Sequence, residues 1–284
     1  MSGAATLALA AGPARRRLLR DPRAALGFGL VALAVVAAVG APLLAPFGPD
    51  TPDFVNTLSP PAPGHWLGTD ELGRDVLSRI IYGAQVSLVV GVLSVAAAGL
   101  FGTALGLIAG YFGRWADAVI MRMMDVVFAF PSILLALAIT AVLGPSLGNA
   151  VLAIAVVNLP VFARVARAQT LVVRELEFVE ARRALGFGTA DILWRTVCPN
   201  ILAPVIVQGS LLFASAIITE SYLSFLGLGA QPPTATWGNM LRNAIGFMEL
   251  APWLAVFPGA AIFLTVLGCN LLGDGLRDRF DPRD

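Results

Sequence analysis

Few side chains in this sequence could do covalent or proton-transfer chemistry. His65 is the only histidine among 284 residues, and all 19 basic residues are arginine. Without lysine there is no P-loop lysine, no Schiff base and no serine-lysine dyad, so a nucleotide would have to be bound by another chain. A zinc site of the HExxH type or a Ser-His-Asp triad would have to be built around His65 with no second histidine available. His65 lies in a Pro/Gly-rich loop, where a solvated side chain is expected. Cys198 and Cys269 form no CxxC motif and adjoin apolar runs, where a free cysteine behaves as a small hydrophobe. Asp70, Glu71 and Asp75 crowd together without EF-hand spacing, so helix capping and loop packing are expected of them instead of calcium binding. No catalytic, metal or cofactor site is expected in this chain.

The densest polar pattern is Arg174–Pro204, RELEFVEARRALGFGTADILWRTVCPNILAP. Val179, Leu185, Phe187, Ile192 and Leu193 interleave with Glu177, Glu180, Arg182, Arg183 and Asp191, as in short amphipathic helices broken at Gly186 and Gly188. Such an apolar stripe must be placed against something. The choices are the inner lipid leaflet, reached through the arginines, or a cleft on a cytoplasmic protein.

The elements that position these residues are dictated by lipid. Hydrophobic residues make up 57% and charged residues 13% of the chain, with a net charge of +1 and a mean hydropathy of +0.81. Soluble domains carry about 25% charge, and a near-zero net charge gives no general attraction for nucleic acid. A spanning helix needs roughly 20 apolar residues to cross a hydrocarbon core about 30 Å thick. Six stretches qualify: 24–45, one within 80–113, 116–143, 149–170, 201–226 and 250–273. The third and fourth share a charge-free run, Val126–Ala163, that would measure about 57 Å as one helix; Gly144-Pro145-Ser146 supplies the turn. The first stretch is longer than a signal-peptide core and is followed by more spans, so a retained anchor is expected.

Arginine placement sets the orientation. With the N-terminus inside, 16 arginines fall on the cytoplasmic side and only Arg74, Arg79 and Arg242 outside. The expected organisation is a cytoplasmic tail (1–23), an anchor (24–45), an extracytoplasmic loop (46–82), a transmembrane core (83–275) and a cytoplasmic C-terminal tail (276–284). A cytoplasmic loop (171–200) lies within the core.

Glu180-Ala181-Arg182, followed by Leu185-Gly186-Phe187 and then Pro199, resembles the EAA loop of ABC-importer permeases. Arg182 replaces the second alanine of that motif, and Thr196 and Cys198 stand where the family has aliphatic residues. Glu180 would put a charge at the docking surface, Gly186 would let backbones approach, and Pro199 would start the next helix. WLGTDELGRDVLSRIIYGAQVSLVVG (Trp66–Gly91) and ESYLSFLGLGAQPPTATWGNML (Glu220–Leu241) are similar to the second-subunit permeases for dipeptides, oligopeptides and nickel. The resemblance implies an all-α, six-helix inner-membrane permease of the type I ABC-importer fold that forms a heterodimer with a homologous permease. It also implies two cytoplasmic ATPases holding ATP and magnesium, and an extracytoplasmic solute-binding protein. Asp70, Glu71, Arg74, Asp75 and Trp237 would lie toward the binding protein, and peptides are the expected solute, with nickel chelates, glutathione-like molecules and some sugars as alternatives.

Within the spans, Gly102, Gly106 and Gly110 recur at i+4 and are expected to pack helix against helix. Pro131, Asn158 and Pro160 are candidates for a pathway or hinge. Asp125 has Arg122 as a local ion-pair partner, whereas Glu220 has no basic residue within a turn and is a candidate for an outer gate or an interhelical contact. An ion-coupled secondary transporter would require paired midplane charges or an inverted repeat, and neither is evident. A non-transporting scaffold would leave the EAA-like loop without a purpose.

Overall fold

The computed structural model describes residues 21–280, and it is helical throughout its membrane-spanning part. Arg15, Arg16, Arg17, Arg20 and Arg283, with most of the two tails, lie outside the described residues. Helix α1 (Pro22–Val39) starts on an Asp21 cap and is followed by the single turn α2 (Ala41–Leu44). After the long loop come α3 (Val76–Phe112), α4 (Arg114–Phe128), α5 (Ser132–Leu143) and α6 (Leu147–Val173). Helix α7 (Glu177–Ala184) precedes α8 (Thr189–Asp191), which runs through a π-helical turn (Ile192–Val197) into α9 (Cys198–Phe225). Helix α10 (Trp237–Ala244) and α11 (Trp253–Phe280) complete the order. Among the described residues, five helices are long and apolar enough to cross a membrane, and six spans result if the bent pair α4/α5 counts as one.

That pair corrects the expectation of a continuous span over 116–143: α4 and α5 are bent by 89°. Pro131 offers no N–H and disfavours a helical Phe130, so α4 ends and Pro131 becomes the first acceptor of α5. Pro160 has no such effect, and α6 runs through it unbroken with Asn158 and Pro160 both buried. The long loop is also shorter than 46–82, because the Asp75 carboxylate accepts from the Ser78 N–H at 2.8 Å and starts α3 at Val76.

α3 is the axis of the bundle, about 55 Å long, and packs most extensively against α6. An added Cβ at Gly102 would stand 2.7 Å from the Leu159 carbonyl oxygen. At Gly106 it would collide with the Ala163 carbonyl, and at Gly110 it would stand 2.7 Å from Thr170 Cβ. A second close crossing, which the sequence reading missed, joins α1 to α11, where a Cβ on Gly268 would lie 2.7 Å from Leu30 Cβ. One hydrophobic cluster joins Leu107, Phe162, Val179, Ile192, Val197 and Ile201 at the end of the bundle that carries α7. Another joins Leu88, Ile217, Trp237 and Cys269 toward the long-loop end.

Candidate functional site

At the α7 end, the loop is built onto the bundle and does not hang free. Val179 is fully buried in the first hydrophobic cluster. Arg174 reaches from the end of α6 to the Gly110 carbonyl at 2.7 Å, satisfying an acceptor that the end of α3 leaves open. Arg182 Nη1 donates to Thr196 Oγ1 at 2.6 Å, and its guanidinium covers the Phe187 ring at 4.4 Å. Two of the three departures from the EAA pattern are therefore partners of each other. Asp191 accepts from Arg195 at 3.0 Å. Glu180 and Ala181 are exposed, as are Leu185 at 76%, Phe187 at 43% and Trp194 at 52%.

Within this chain, Gly186 is required by its backbone conformation. Among the described residues of this chain, no atom lies within 4 Å of the position of an added Cβ. Its φ is +81°, and the N–H groups of Gly186 and Phe187 bond the carbonyls of Arg183 and Arg182 at 3.0 and 3.2 Å. This is a left-handed helix stop, which glycine adopts without Cβ strain. Pro199 stands in the first turn of α9, but the helical path has already begun at Thr189. Its missing N–H and its ring disfavour a normal turn, and the helix widens just before it, the Cys198 N–H bonding the Leu193 carbonyl.

At the opposite end, the loop before α3 is folded around buried charges. Asp70 holds Arg74 Nε at 2.7 Å and accepts from the Leu72 and Arg74 N–H groups. His65 is not freely solvated: Nδ1 lies 3.0 Å from Asp75 Oδ1, and the ring stacks on Phe47. The Ser78 hydroxyl donates to Asp75 and not to His65, so these three do not form a nucleophilic triad. The Asn56 amide donates to Asp53 at 2.8 Å and holds its carboxyl below the usual carboxylate range. Asp70, Arg74, Asp75 and Trp237 are all buried, which takes them out of direct reach of a docking protein; Glu71 stays partly accessible. Trp237 serves packing instead, with Nε1 donating to the Ile80 carbonyl at 3.0 Å.

Glu220 is fully buried between α3 and α9, accepting from Ser87 at 3.0 Å and from Ser224 at 2.7 Å. It makes an interhelical contact. Asp125 pairs with Arg164 of α6 at 2.9 Å, not with Arg122.

A protein-family model described as "Binding-protein-dependent transport system inner membrane component" matches residues 102–283. The chain belongs to this family. A second model, "N-terminal TM domain of oligopeptide transport permease C", matches residues 12–61 of the permease. The permease is 48% identical to the dipeptide transport system permease protein DppC of Alkalihalophilus pseudofirmus, over 94% of this chain and 88% of the relative. It is 46% identical to the glutathione transport system permease protein GsiD of Pectobacterium atrosepticum, over 94% and 89%. It is 44% identical to the probable D,D-dipeptide transport system permease protein DdpC of Escherichia coli, over 89% and 85%. Among solved structures, a chain of the MetNI methionine ABC transporter superposes with a TM-score of 0.52 at 15% identity, covering 69% of this chain and 95% of that one. That likeness shows the fold.

The chain is thus an ABC-importer permease subunit of the inner membrane, and ATPase activity resides in separate subunits. Some of the permease's functional contacts had readable local signals. Ser224 is one turn from Glu220, and Ser87 shares a face of α3 with Ser94. The tie of Arg167 Nη2 to Asp117 Oδ2 at 2.6 Å joins residues 50 apart and had no local signal.

Proposed function

We propose that this permease imports short peptides together with a homologous permease, driven by two cytoplasmic ATPases and supplied by an extracytoplasmic solute-binding protein. Both termini and α7 are on the cytoplasmic side in this reading. α7 is the element that transmits motion from an ATPase into the bundle, with Glu180, Ala181, Leu185, Gly186 and Phe187 near the docking surface and Arg182 and Pro199 behind it.

The observation that carries this reading is the division of α7 and its flanks into an anchored and a free side. Val179 and Arg182 tie the element to the π turn, while Leu185, Phe187 and Trp194 are each exposed. Docking on lipid is disfavoured by charge, because α7 carries Glu177 and Glu180 against Arg182 and Arg183 and so has no net attraction for an anionic leaflet. A protein cleft accommodates mixed charge around an apolar tip. The dipeptide and glutathione transport named for relatives at 46–48% identity supports a peptide solute.

The test is reconstitution into proteoliposomes. The full set of subunits should accumulate labelled L-Ala-L-Ala only with ATP inside the motor compartment, and the two permeases without ATPases should not. Uptake by the permeases alone, or without ATP, would contradict the proposal.

A further inference from the structure

At the long-loop end, a cavity of about 210 Å³ opens between the loop before α3, the 227–236 segment and α10. It is several times the roughly 30 Å³ share of one water, and below the roughly 300 to 1,000 Å³ of complete small-molecule sites. Such a cavity takes one end of a ligand. Three of its lining side chains are arginines.

Two of them are already matched. Arg74 donates to Asp70 at 2.7 Å and Glu71 at 3.1 Å. Arg79 donates to the Pro49 carbonyl at 2.8 Å and to Asp50 at 3.3 Å, with Asp70 at 3.5 Å. Arg242 differs: among the described residues its guanidinium has neither an ion-pair partner nor a hydrogen-bond acceptor, and it is exposed. It lies against the Gly227 turn, where an added Cβ would stand 2.9 Å from its Cζ. Glu71 also lines the cavity, but its Oε1 takes Arg74 and the Asn243 amide.

The frame around Arg242 is fixed before any ligand arrives. Thr236 and Asn239 form a reciprocal capping box at the start of α10. Gln231 Nε2 donates to the Gly227 and Gly229 carbonyls at 3.0 Å each. A guanidinium on a rigid helix can receive a carboxylate through two parallel N–H···O bonds.

We propose that this cavity is a carboxylate subsite in which Arg242 receives the C-terminal carboxylate of an incoming peptide. The proposal rests on the peptide reading and on the long-loop end facing outward. Dipeptides of either stereochemistry and glutathione differ in length and side chains, but all carry a free carboxylate. A site that grips this shared group gains affinity from it whatever the side chains are.

The experiment uses the full chain in lipid nanodiscs and saturation-transfer NMR with L-Ala-L-Ala, its C-terminal amide, and acetate. The free acid should bind about tenfold or more tightly than the amide. Arg242→Gln should abolish that preference without changing the affinity for the amide, which also shows the variant is folded, and Arg242→Lys should keep part of it. Equal binding of acid and amide, or a preference that survives Arg242→Gln, overturns the proposal. If acetate binds through Arg242 while the assembled transporter fails to import L-Ala-L-Ala, the carboxylate site stands and the peptide assignment falls.

Discussion

Arg182 of α7 and Thr196 of the π turn share a hydrogen bond of 2.6 Å, and these are two of the positions at which the loop departs from its family's pattern. An arginine in place of alanine would push α7 outward unless something received it. Here the Thr196 hydroxyl and the Phe187 ring do so. The pair should behave as one unit. Arg182→Ala, Thr196→Val and the double variant, compared by chemical unfolding in detergent, should show a coupling of about 1 kcal/mol, modest because Arg182 is partly exposed. Strict additivity would contradict a shared bond.

Gly186 should tolerate bulk better than it tolerates a change of backbone preference. Space is open around it, but its φ is +81°. Gly186→Ala should cost about 1 kcal/mol of local stability and Gly186→Asn less, since asparagine enters the left-handed region more readily. ATP-dependent uptake should fall in the same order. An alanine variant as active as the parent would show that the helix stop has no part in coupling.

Glycines of α3 should divide by what they face. Gly106→Ala places a methyl on the Ala163 carbonyl, whereas Gly99→Ala meets only the edge of Phe162 at 3.5 Å. The first should lower the thermal midpoint and the yield of folded chain, at a cost of about 1 to 3 kcal/mol. The second should leave both near those of the parent. Equal tolerance would argue that α3 and α6 do not pack as described.

Glu220 is held by two hydroxyl donors, Ser87 and Ser224. Glu220→Gln keeps the shape and most of the hydrogen bonding, so folding and uptake should change little. Glu220→Ala leaves two buried hydroxyls without their partner and should cost about 2 to 4 kcal/mol. If Glu220→Gln abolished uptake while the fold stayed intact, the carboxylate would have a role in transport beyond joining α3 to α9.

The spans were legible because lipid demands long apolar runs, and the stops at Gly186 and at Gly144-Pro145-Ser146 within Val126–Ala163 were legible because glycine and proline act locally. What each proline does was not. Pro131 ends one helix and begins another, while α6, α9 and α11 continue through Pro160, Pro204 and Pro258. The difference lies in neighbours distant in sequence. Asp117 and Asp125 tie α4 to Arg167 and Arg164 in the later part of α6, while Ala136 of α5 packs with Ala150, Ala153 and Ile154 near the start of that helix, so both halves lie on α6 and the chain bends between them. His65 was misread for a similar reason, since its partner Asp75 is ten residues away and faces it only once the loop is folded. Trp237 was expected to lie toward the binding protein, yet its indole N–H donates to the carbonyl of Ile80, 157 residues earlier.

The most direct test of the account replaces Leu185, 76% exposed at the tip of α7, with photo-crosslinking p-benzoylphenylalanine in native membranes that hold all the transporter's subunits. Illumination should give a protein adduct with the mass of this chain plus one ATPase subunit, and its yield should change when ATP is added. Labelling of lipid alone, with no ATPase adduct in either state, would contradict the claim that α7 couples this permease to a motor.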